Sequence, residues 1–204
     1  MNLYYGYMLI ILNFTGGMEM KKTFEPNNAI YLLPIVLVTC CDDSGKDNII
    51  TIAWTTNICR KPPCLGIVIS GQKYSAAIIK DTKEFVLNVP GAEYIKGVDI
   101  CGETHGDKVN KFELTNFTKE DAVLVKPKLI KECPINMECR VKDVIIIEDS
   151  HLFVGEILKV HMDENLLDSK GKINYLKLNP ILYGDKSYWS IRDMIGYRGF
   201  SQKL

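Results

Sequence analysis

The sequence predicts an all-β barrel decorated with short helices and formed by a single domain. At least six segments have the β-branched, apolar composition of strands, whereas helical periodicity is confined to short stretches. The chain has 204 residues, of which 47% are hydrophobic and 25% charged, and this is enough for one substantial core. No G-x-G-x-x-G motif follows a predicted strand and no P-loop is present, so folds that bind nucleotides through those motifs are not indicated.

The N-terminal residues 1–19 differ from the rest of the chain. Their apolar core is too short for a membrane span, and no Lys or Arg precedes it as in a signal peptide. Gly16 and Gly17, followed by Met18 and Met20, are what a translated ribosome-binding sequence would encode. We therefore expect residues 1–19 to be a translated leader or a disordered extension, and the working domain to span residues 20–204. A genuine N-terminal strand or helix is the alternative.

Strand-like segments alternate with turn signals in the first half of the domain. Residues 29–41 (AIYLLPIVLVTCC) predict a strand, and the following DDSGKDN predicts a hairpin or loop. Residues 48–54 (NIITIAW) and 64–70 (CLGIVIS) predict the next two strands, which enclose the polar segment TTNICRKPP with its Pro-Pro stop. Residues 73–85 change to a helical period, and residues 84–90 (EFVLNVP) return to strand.

The second half of the domain adds helices and a long hairpin. Residues 92–102 and 107–114 predict two short helices with polar faces. Residues 135–148 and 151–162 alternate well enough to form two long strands, with Asp149-Ser150 as the predicted turn.

Charge and composition exclude several classes of function. The 25 basic and 25 acidic residues give a formal net charge of zero, which argues against nucleic acid as a partner. The seven cysteines show no C-x-x-C pair and no zinc spacing, so we expect reduced, mostly buried thiols in a cytoplasmic protein. No G-x-S-x-G, H-E-x-x-H or carboxylate cluster indicates a hydrolase or a metal site. If the protein is an enzyme, a bound organic cofactor is expected to carry its chemistry.

The clearest candidate for such a site follows the predicted strand at residues 48–54. An aromatic ring system with several acceptors needs backbone N–H donors, small hydroxyls and a flat apolar wall. Residues 51–56 supply this mixture, and Lys73 and Ser75 at a helix start offer a cation and free N–H groups for a phosphate. The alternative is that the threonines are ordinary β-formers at a barrel rim and that Ser75 is only a helix cap.

A family resemblance extends over nearly the whole presumed domain. The segments that carry it are PIVLVTCCDDSGKDNIITIAW, RKPPCLGIVISGQKYSAAIIKDTKEFVLNVP, CGETHGDKVNKF, ECPINMECRV and HLFVGEI. In this order and at this spacing they resemble the flavin reductase-like, FMN-binding split-barrel proteins, in particular the flavoredoxin group. The similarity runs from Phe24 to Ser201.

The resemblance implies a homodimer of six-stranded antiparallel split β-barrels, each binding FMN without a covalent bond near the dimer interface. His151 matches a histidine that the family often carries near the flavin, which makes it the implied catalytic residue. Lys73 stands where the family commonly has Arg, and this keeps the charge but loses the fork geometry. Thr104 to Gly106 depart from the family's Ser-Gly and leave the role of His105 open. The implied cofactor-binding residues are Thr51, Ile52, Ala53, Trp54, Thr55, Thr56, Lys73, Tyr74 and Ser75.

The implied activity is transfer of hydride or electrons through FMN. A reduced nicotinamide, NADH or NADPH, is the expected donor because many relatives use one, although no motif identifies it. The acceptor would be a flavin, another small molecule or a protein redox partner. A non-enzymatic, FMN-binding electron carrier that serves protein partners is the alternative. Neither nucleic acid nor a membrane is an expected partner.

Overall fold

The computed structural model describes residues 21–28 and 32–202. The predicted leader at residues 1–19 and the first residues of the predicted strand 29–41 therefore lie outside the described residues. The strands of the described part, in chain order, are β1 (Leu33–Pro34), β2 (Val36–Cys41), β3 (Asp47–Ile52), β4 (Thr55–Arg60), β5 (Pro63–Ser70), β6 (Glu84–Val89), β7 (Lys119–Glu120), β8 (Leu129–Ile130), β9 (Ile135–Ile147), β10 (Ser150–Met162), β11 (Ile181–Gly184) and β12 (Ser187–Ser190).

The helices are short, as predicted. Helix α1 ends where Lys83 adopts a left-handed conformation and donates its backbone N–H to the Ile79 carbonyl. The α-helices are α1 (Tyr74–Thr82), α2 (Ile95–Glu103), α3 (Lys111–Thr115) and α4 (Tyr175–Leu178), and single 3-10 turns occupy Ala92–Tyr94, Glu164–Leu166 and Phe200–Gln202.

The main sheet has seven strands in the order β3-β2-β6-β9-β10-β5-β4, and every neighbouring pair is antiparallel. The two edge strands, β3 and β4, are consecutive in the chain and are separated only by Ala53 and Trp54. Two edges joined by so short a link must lie close together, so the sheet is rolled round on itself. No ladder joins β3 to β4 in the described residues. The result is a mostly-β, open barrel.

The sheet contains one strand more than the six that were expected. The additional strand is β4, whose sequence TTNICR belongs to the segment that the sequence predicts to be a polar connection. Most of β4 is exposed, and an edge strand with water on one side tolerates such residues. Polarity at this position therefore marked the edge of a sheet and not a loop.

The predicted first strand, residues 29–41, is also divided differently. Within it, β1 belongs to a separate sheet, β1-β11-β12, while β2 belongs to the main sheet. The Ile35 N–H between them donates to the Ile181 carbonyl at 3.0 Å, which holds the two sheets together. The strands β11 and β12 and helix α4 had no counterpart in the sequence prediction.

The long hairpin was predicted correctly except for its turn. Ile147 pairs with Ser150, so the turn residues are Glu148 and Asp149 instead of Asp149 and Ser150. Glu148 has a positive φ of 52°, which a two-residue hairpin turn requires. Three consecutive isoleucines at the tip, Ile145 to Ile147, are exposed, the last of them to 66%.

Two hydrophobic clusters pack against opposite faces of β2. One lies inside the rolled sheet and includes Phe85 and Phe153 together with helix α1, and the other lies between the sheet and helices α2 and α3. Val38 faces the first cluster and Leu37 the second, because side chains alternate along a strand. A strand covered on both faces is largely apolar, as in VLVTCC, and its polar Thr39 donates its buried hydroxyl to the Lys128 carbonyl at 2.6 Å.

A buried carboxylate anchors the loop that connects β7 to β8. Glu138 in β9 is fully buried and accepts the backbone N–H groups of Val123 at 2.9 Å and Leu124 at 2.6 Å. Its Oε1 also lies 2.6 Å from Nε2 of His161 in β10. Burial raises the pKa of Glu138, but these hydrogen bonds outweigh burial and bring the pKa below its usual value.

None of the helices in the described part of the chain is long and apolar enough to cross a membrane.

Candidate functional site

A cavity of about 720 Å³ lies on the face of the main sheet opposite the core. Val68 of β5 pairs with Leu152 of β10 and both face the cavity, whereas the neighbouring Ile67 and Phe153 face the core. Its volume falls within the range of about 300–1,000 Å³ usual for small-molecule sites. The lining residues are Asn28, Leu33, Trp54, Thr55, Thr56, Gly66, Val68, Leu152, Tyr183, Asp185 and Lys186.

Three of the predicted cofactor-binding residues line this cavity. The Trp54 indole is 46% exposed, and its backbone carbonyl accepts the Val68 N–H at 2.9 Å, which fixes the start of β4. The Thr55 hydroxyl donates to the Gly66 carbonyl at 2.9 Å, so it is already used within the sheet. Thr56 is exposed on the cavity wall. The wall therefore offers an aromatic face beside small polar groups.

Gly66 leaves the cavity deeper at this point because it has no side chain. A Cβ at this position would lie 2.6 Å from Cδ1 of Ile58 and 2.9 Å from Cδ1 of Leu152. Any side chain would therefore displace both neighbours and enter the space above them. The absence of a side chain leaves room for a flat group between Trp54 and Leu152.

The other three residues of the predicted segment direct their side chains elsewhere. The Thr51 hydroxyl donates to the Val98 carbonyl of α2 at 2.6 Å, which ties the helix to the sheet. Ile52 is part of the core inside the rolled sheet, and Ala53 packs against the second cluster. Ile52 thus lies on the core face, Thr51 and Ala53 lie on the face toward α2, and none of the three lines the cavity.

Lys73 lies at the start of α1, three residues after the end of β5. Its N–H donates to the carbonyl of Ser70, the last residue of β5. Val68, which lines the cavity, lies two residues before Ser70, about 7 Å along the strand. Lys73 occupies the N-cap position, and its side chain forms no capping hydrogen bond. Lysine is not a capping residue, because it has no acceptor for the N–H groups of the first turn. The helix start is thus open to an anion.

Tyr74 and Ser75 contribute mainly to the packing of this helix start. The Tyr74 hydroxyl donates to Oδ2 of Asp42 at 3.3 Å, and the Lys46 ammonium lies 5.1 Å from the centre of its ring. Ser75 is buried, and its Oγ accepts Nδ2 of Asn48 at 2.8 Å. The Ser75 hydroxyl thus points into the fold.

Sequence reasoning did not single out Lys111, which is buried near the same helix start. Its Nζ donates to the Cys101 carbonyl at 2.7 Å, although an ammonium has three donors. Burial lowers the pKa of Lys111, and the nearby Lys73 charge lowers it further. An anion between the two lysines would relieve both effects. One lysine among 25 basic residues carries no signal of such a location in the sequence.

His151 lies behind the cavity. It pairs with Ile69 and shares a face with Phe153, whose ring centre is 6.2 Å from its own, while Leu152 points to the opposite face. The imidazole packs on Gly71, where a Cβ would approach Nε2 to 2.5 Å. Its Nδ1 is buried without a hydrogen-bond partner among the described residues. His151 therefore contacts the loop that leads to Lys73.

The hairpin of β11 and β12 completes the rim of the cavity. Asp185 and Lys186 both have positive φ values, 50° and 57°, between the paired residues Gly184 and Ser187. This is the geometry of a two-residue turn that matches the twist of its strands. The turn places Asp185, Lys186 and the preceding Tyr183 at the cavity. Gly184 and Asp185 between aromatic residues are a turn signal in the sequence, one residue before the turn that the structure places at Asp185 and Lys186.

Comparison with known proteins agrees with this architecture. Residues 30–192 match the model of the flavin reductase like domain. The chain belongs to this family. It is also 37% identical over 145 residues to a protein of Archaeoglobus fulgidus, a match that covers 71% of this chain and 82% of the relative.

Two solved structures superimpose on nearly the whole of this chain. The flavoredoxin from Methanosarcina acetivorans is 29% identical and superimposes with a TM-score of 0.79, covering 89% of this chain and 100% of that one. An FMN-binding protein from Thermus thermophilus, 19% identical, has a TM-score of 0.72, with 85% and 94% of the two chains covered. At 19% identity, the second comparison shows a similarity of fold alone. Membership of the family indicates a flavin-related redox function for this chain.

The residues present fit a flavin mononucleotide in this family's fold. The cavity between Trp54 and Leu152 suits a flat ring system, and Thr55 and Thr56 provide polar groups at its edge. The open helix start with Lys73 suits a phosphate.

Proposed function

We propose that this protein is an FMN-dependent oxidoreductase that passes hydride or electrons from a reduced nicotinamide to a flavin or another small acceptor. The observation that carries the proposal is the 720 Å³ cavity with an exposed indole, and we assign the phosphate of the cofactor to the uncapped start of α1 beside Lys73. The family and the Thermus thermophilus FMN-binding protein of the same fold support it. When bound, FMN would supply the redox chemistry, since it accepts a hydride and releases electrons.

The chain's own residues would bind and orient the cofactor. In this proposal, Trp54 covers one side of the ring system, and the apolar Val68 and Leu152 exclude water from it. Backbone N–H groups of the segment 51–56 would donate to the acceptors of the ring and stabilise its reduced, anionic form.

The phosphate would be held at the start of α1. The N–H groups of the first turn point away from the helix at its N-terminal end, and the helix dipole favours an anion there. Lys73 would neutralise the phosphate directly, and Lys111 would add a buried positive charge behind it. Tyr74 and Ser75 would keep the helix start in position through Asp42 and Asn48.

A non-enzymatic electron carrier is the second candidate, favoured by the 29% identity to the Methanosarcina acetivorans flavoredoxin. Anaerobic mixing of the FMN-loaded protein with NADH and with NADPH distinguishes the two. Bleaching of the flavin absorbance by either nicotinamide, with multiple turnovers once an acceptor is added, supports the oxidoreductase. Reduction by dithionite or by a protein donor, but by neither nicotinamide, supports the carrier.

We also propose that the protein is a homodimer. The tip of the β9–β10 hairpin exposes three consecutive isoleucines, Ile145 to Ile147. Such apolar surface is usually covered by a partner. Light scattering of the FMN-loaded protein should give twice the mass of one chain, and a monomer with FMN still bound would contradict the proposal.

A further inference from the structure

We propose that Cys59 and Cys64 form a reversible dithiol–disulfide pair at the end of the β4–β5 hairpin. The two cysteines are direct partners in the antiparallel ladder, one position before the closing pair of Arg60 and Pro63. All seven cysteines lie in the described residues, and no other two of them are paired across strands. Neither cysteine is among the residues proposed to bind FMN, and the proposal goes beyond the proposed function.

The ladder places the two sulfur atoms within reach of each other. Directly opposed residues of antiparallel strands have Cα atoms about 4.5–5.5 Å apart and side chains on the same face. A disulfide accepts Cα separations of about 4.4–6.8 Å. The Cys59 thiol now donates to the Lys61 carbonyl at 3.5 Å, a weak contact. The register shifts between Asn57 and Cys59, so the edge strand can adjust locally while the two side chains rotate to form the bond.

The two thiols differ in exposure, which assigns their roles. Cys59 is exposed on the edge strand, whereas Cys64 is only 7% exposed. Burial raises the pKa of the Cys64 thiol, and the neighbouring Cys59 raises it further. Cys59 is thus the thiol that meets an external reactant, and Cys64 is the one that resolves the intermediate.

The reactant is a small-molecule disulfide. The Cys59 thiolate attacks one of its sulfur atoms, which forms a mixed disulfide and releases one small thiol. Cys64 then loses its proton to solvent and attacks the Cys59 sulfur, which releases the second small thiol. Two protein thiols are oxidised and one external disulfide is reduced, so electrons and protons balance. The reverse reaction regenerates the dithiol.

The location ties this chemistry to the cavity. Thr56 and Gly66 are paired on the same hairpin and line the cavity, three and two residues away from the cysteines. A disulfide would fasten the edge strand β4 to β5 and so fix the wall that carries Thr56. The redox state of the pair is therefore expected to change the position of Thr56 in the cavity wall.

The test is equilibration of the full chain in buffers of reduced and oxidised glutathione at graded ratios, followed by alkylation and mass spectrometry. Trypsin cleaves after Arg60, so a disulfide between Cys59 and Cys64 joins two peptides. We expect this linked pair to appear as the buffer becomes oxidising and to disappear when dithiothreitol is added. Cys59→Ser should abolish it, Cys64→Ser should accumulate a glutathione adduct on Cys59, and the control Cys41→Ser should behave like the parent.

Three results would overturn the proposal. The first is a stable glutathione adduct on Cys59 of the parent protein, which would show that Cys64 does not resolve it. The second is a disulfide between two copies, seen as a dimer on a non-reducing gel that Cys59→Ser removes. The third is the absence of any Cys59–Cys64 linkage in fully oxidised glutathione, when the circular dichroism spectrum confirms that the protein is folded.

Discussion

Replacement of Lys73 by alanine tests the phosphate end of the site. Lys73 is exposed at the uncapped start of α1, and its ammonium would form a charge-assisted hydrogen bond with the phosphate of FMN. Such a bond contributes about 1.5–3 kcal/mol. We therefore expect Lys73→Ala to raise the dissociation constant of FMN roughly tenfold to more than a hundredfold. The increase should shrink at high salt, because exposed charges are screened.

The assay is a titration with FMN and with riboflavin, which lacks the phosphate, followed by flavin fluorescence. Riboflavin affinity should be the same in the parent and in Lys73→Ala, so the loss appears only with FMN. Lys80→Ala is the matched control, because Lys80 is an exposed lysine at the other end of the same helix. Equal losses for FMN and riboflavin, or no loss for FMN, would refute the placement of the phosphate at Lys73.

Two further substitutions test other parts of the structure. His151→Ala should weaken FMN binding and leave the reduction rate at saturating FMN unchanged, because the ring packs on Gly71; a slower rate with unchanged affinity would instead establish the catalytic role predicted from sequence. Glu138→Gln should lower the free energy of unfolding at pH 7 by about 1.5–3 kcal/mol. The lowered pKa of Glu138 stabilises the fold above the unfolded-state value of about 4.3, and this contribution is lost as pH falls through the folded-state pKa. Urea unfolding between pH 7 and pH 3 checks this, and an unchanged pH dependence in Glu138→Gln would contradict it.

The strands that face the core could be predicted from sequence because apolar periodicity is a local signal. Strands β2, β3, β5, β6, β9 and β10 all coincide with predicted apolar runs, although β3, β5 and β10 begin one residue earlier. Strand β4 was missed because its residues are polar, and only the pairing with β5 shows that they form a sheet edge. The β11–β12 hairpin was missed because its strands have only four residues each and are stabilised by β1, more than 140 residues earlier in the chain.

The candidate site was predictable in part for the same reason. Residues 51–56 span the end of β3 and the start of β4, although only a strand end was predicted there, and the direction of each side chain depends on partners remote in sequence. Thr51 is turned toward Val98 of α2, and Ser75 toward Asn48. Lys111 gains its importance only from burial beside Lys73, which no local pattern encodes.

The central claim is that the cavity and the start of α1 form one FMN site. Titration of the purified, folded protein with FMN, followed by flavin absorbance and fluorescence, tests it most directly. We expect the protein to purify yellow or to bind one FMN per chain, with higher affinity for FMN than for riboflavin. A folded protein that leaves the spectrum of added FMN unchanged, or that binds riboflavin equally well, would contradict the claim.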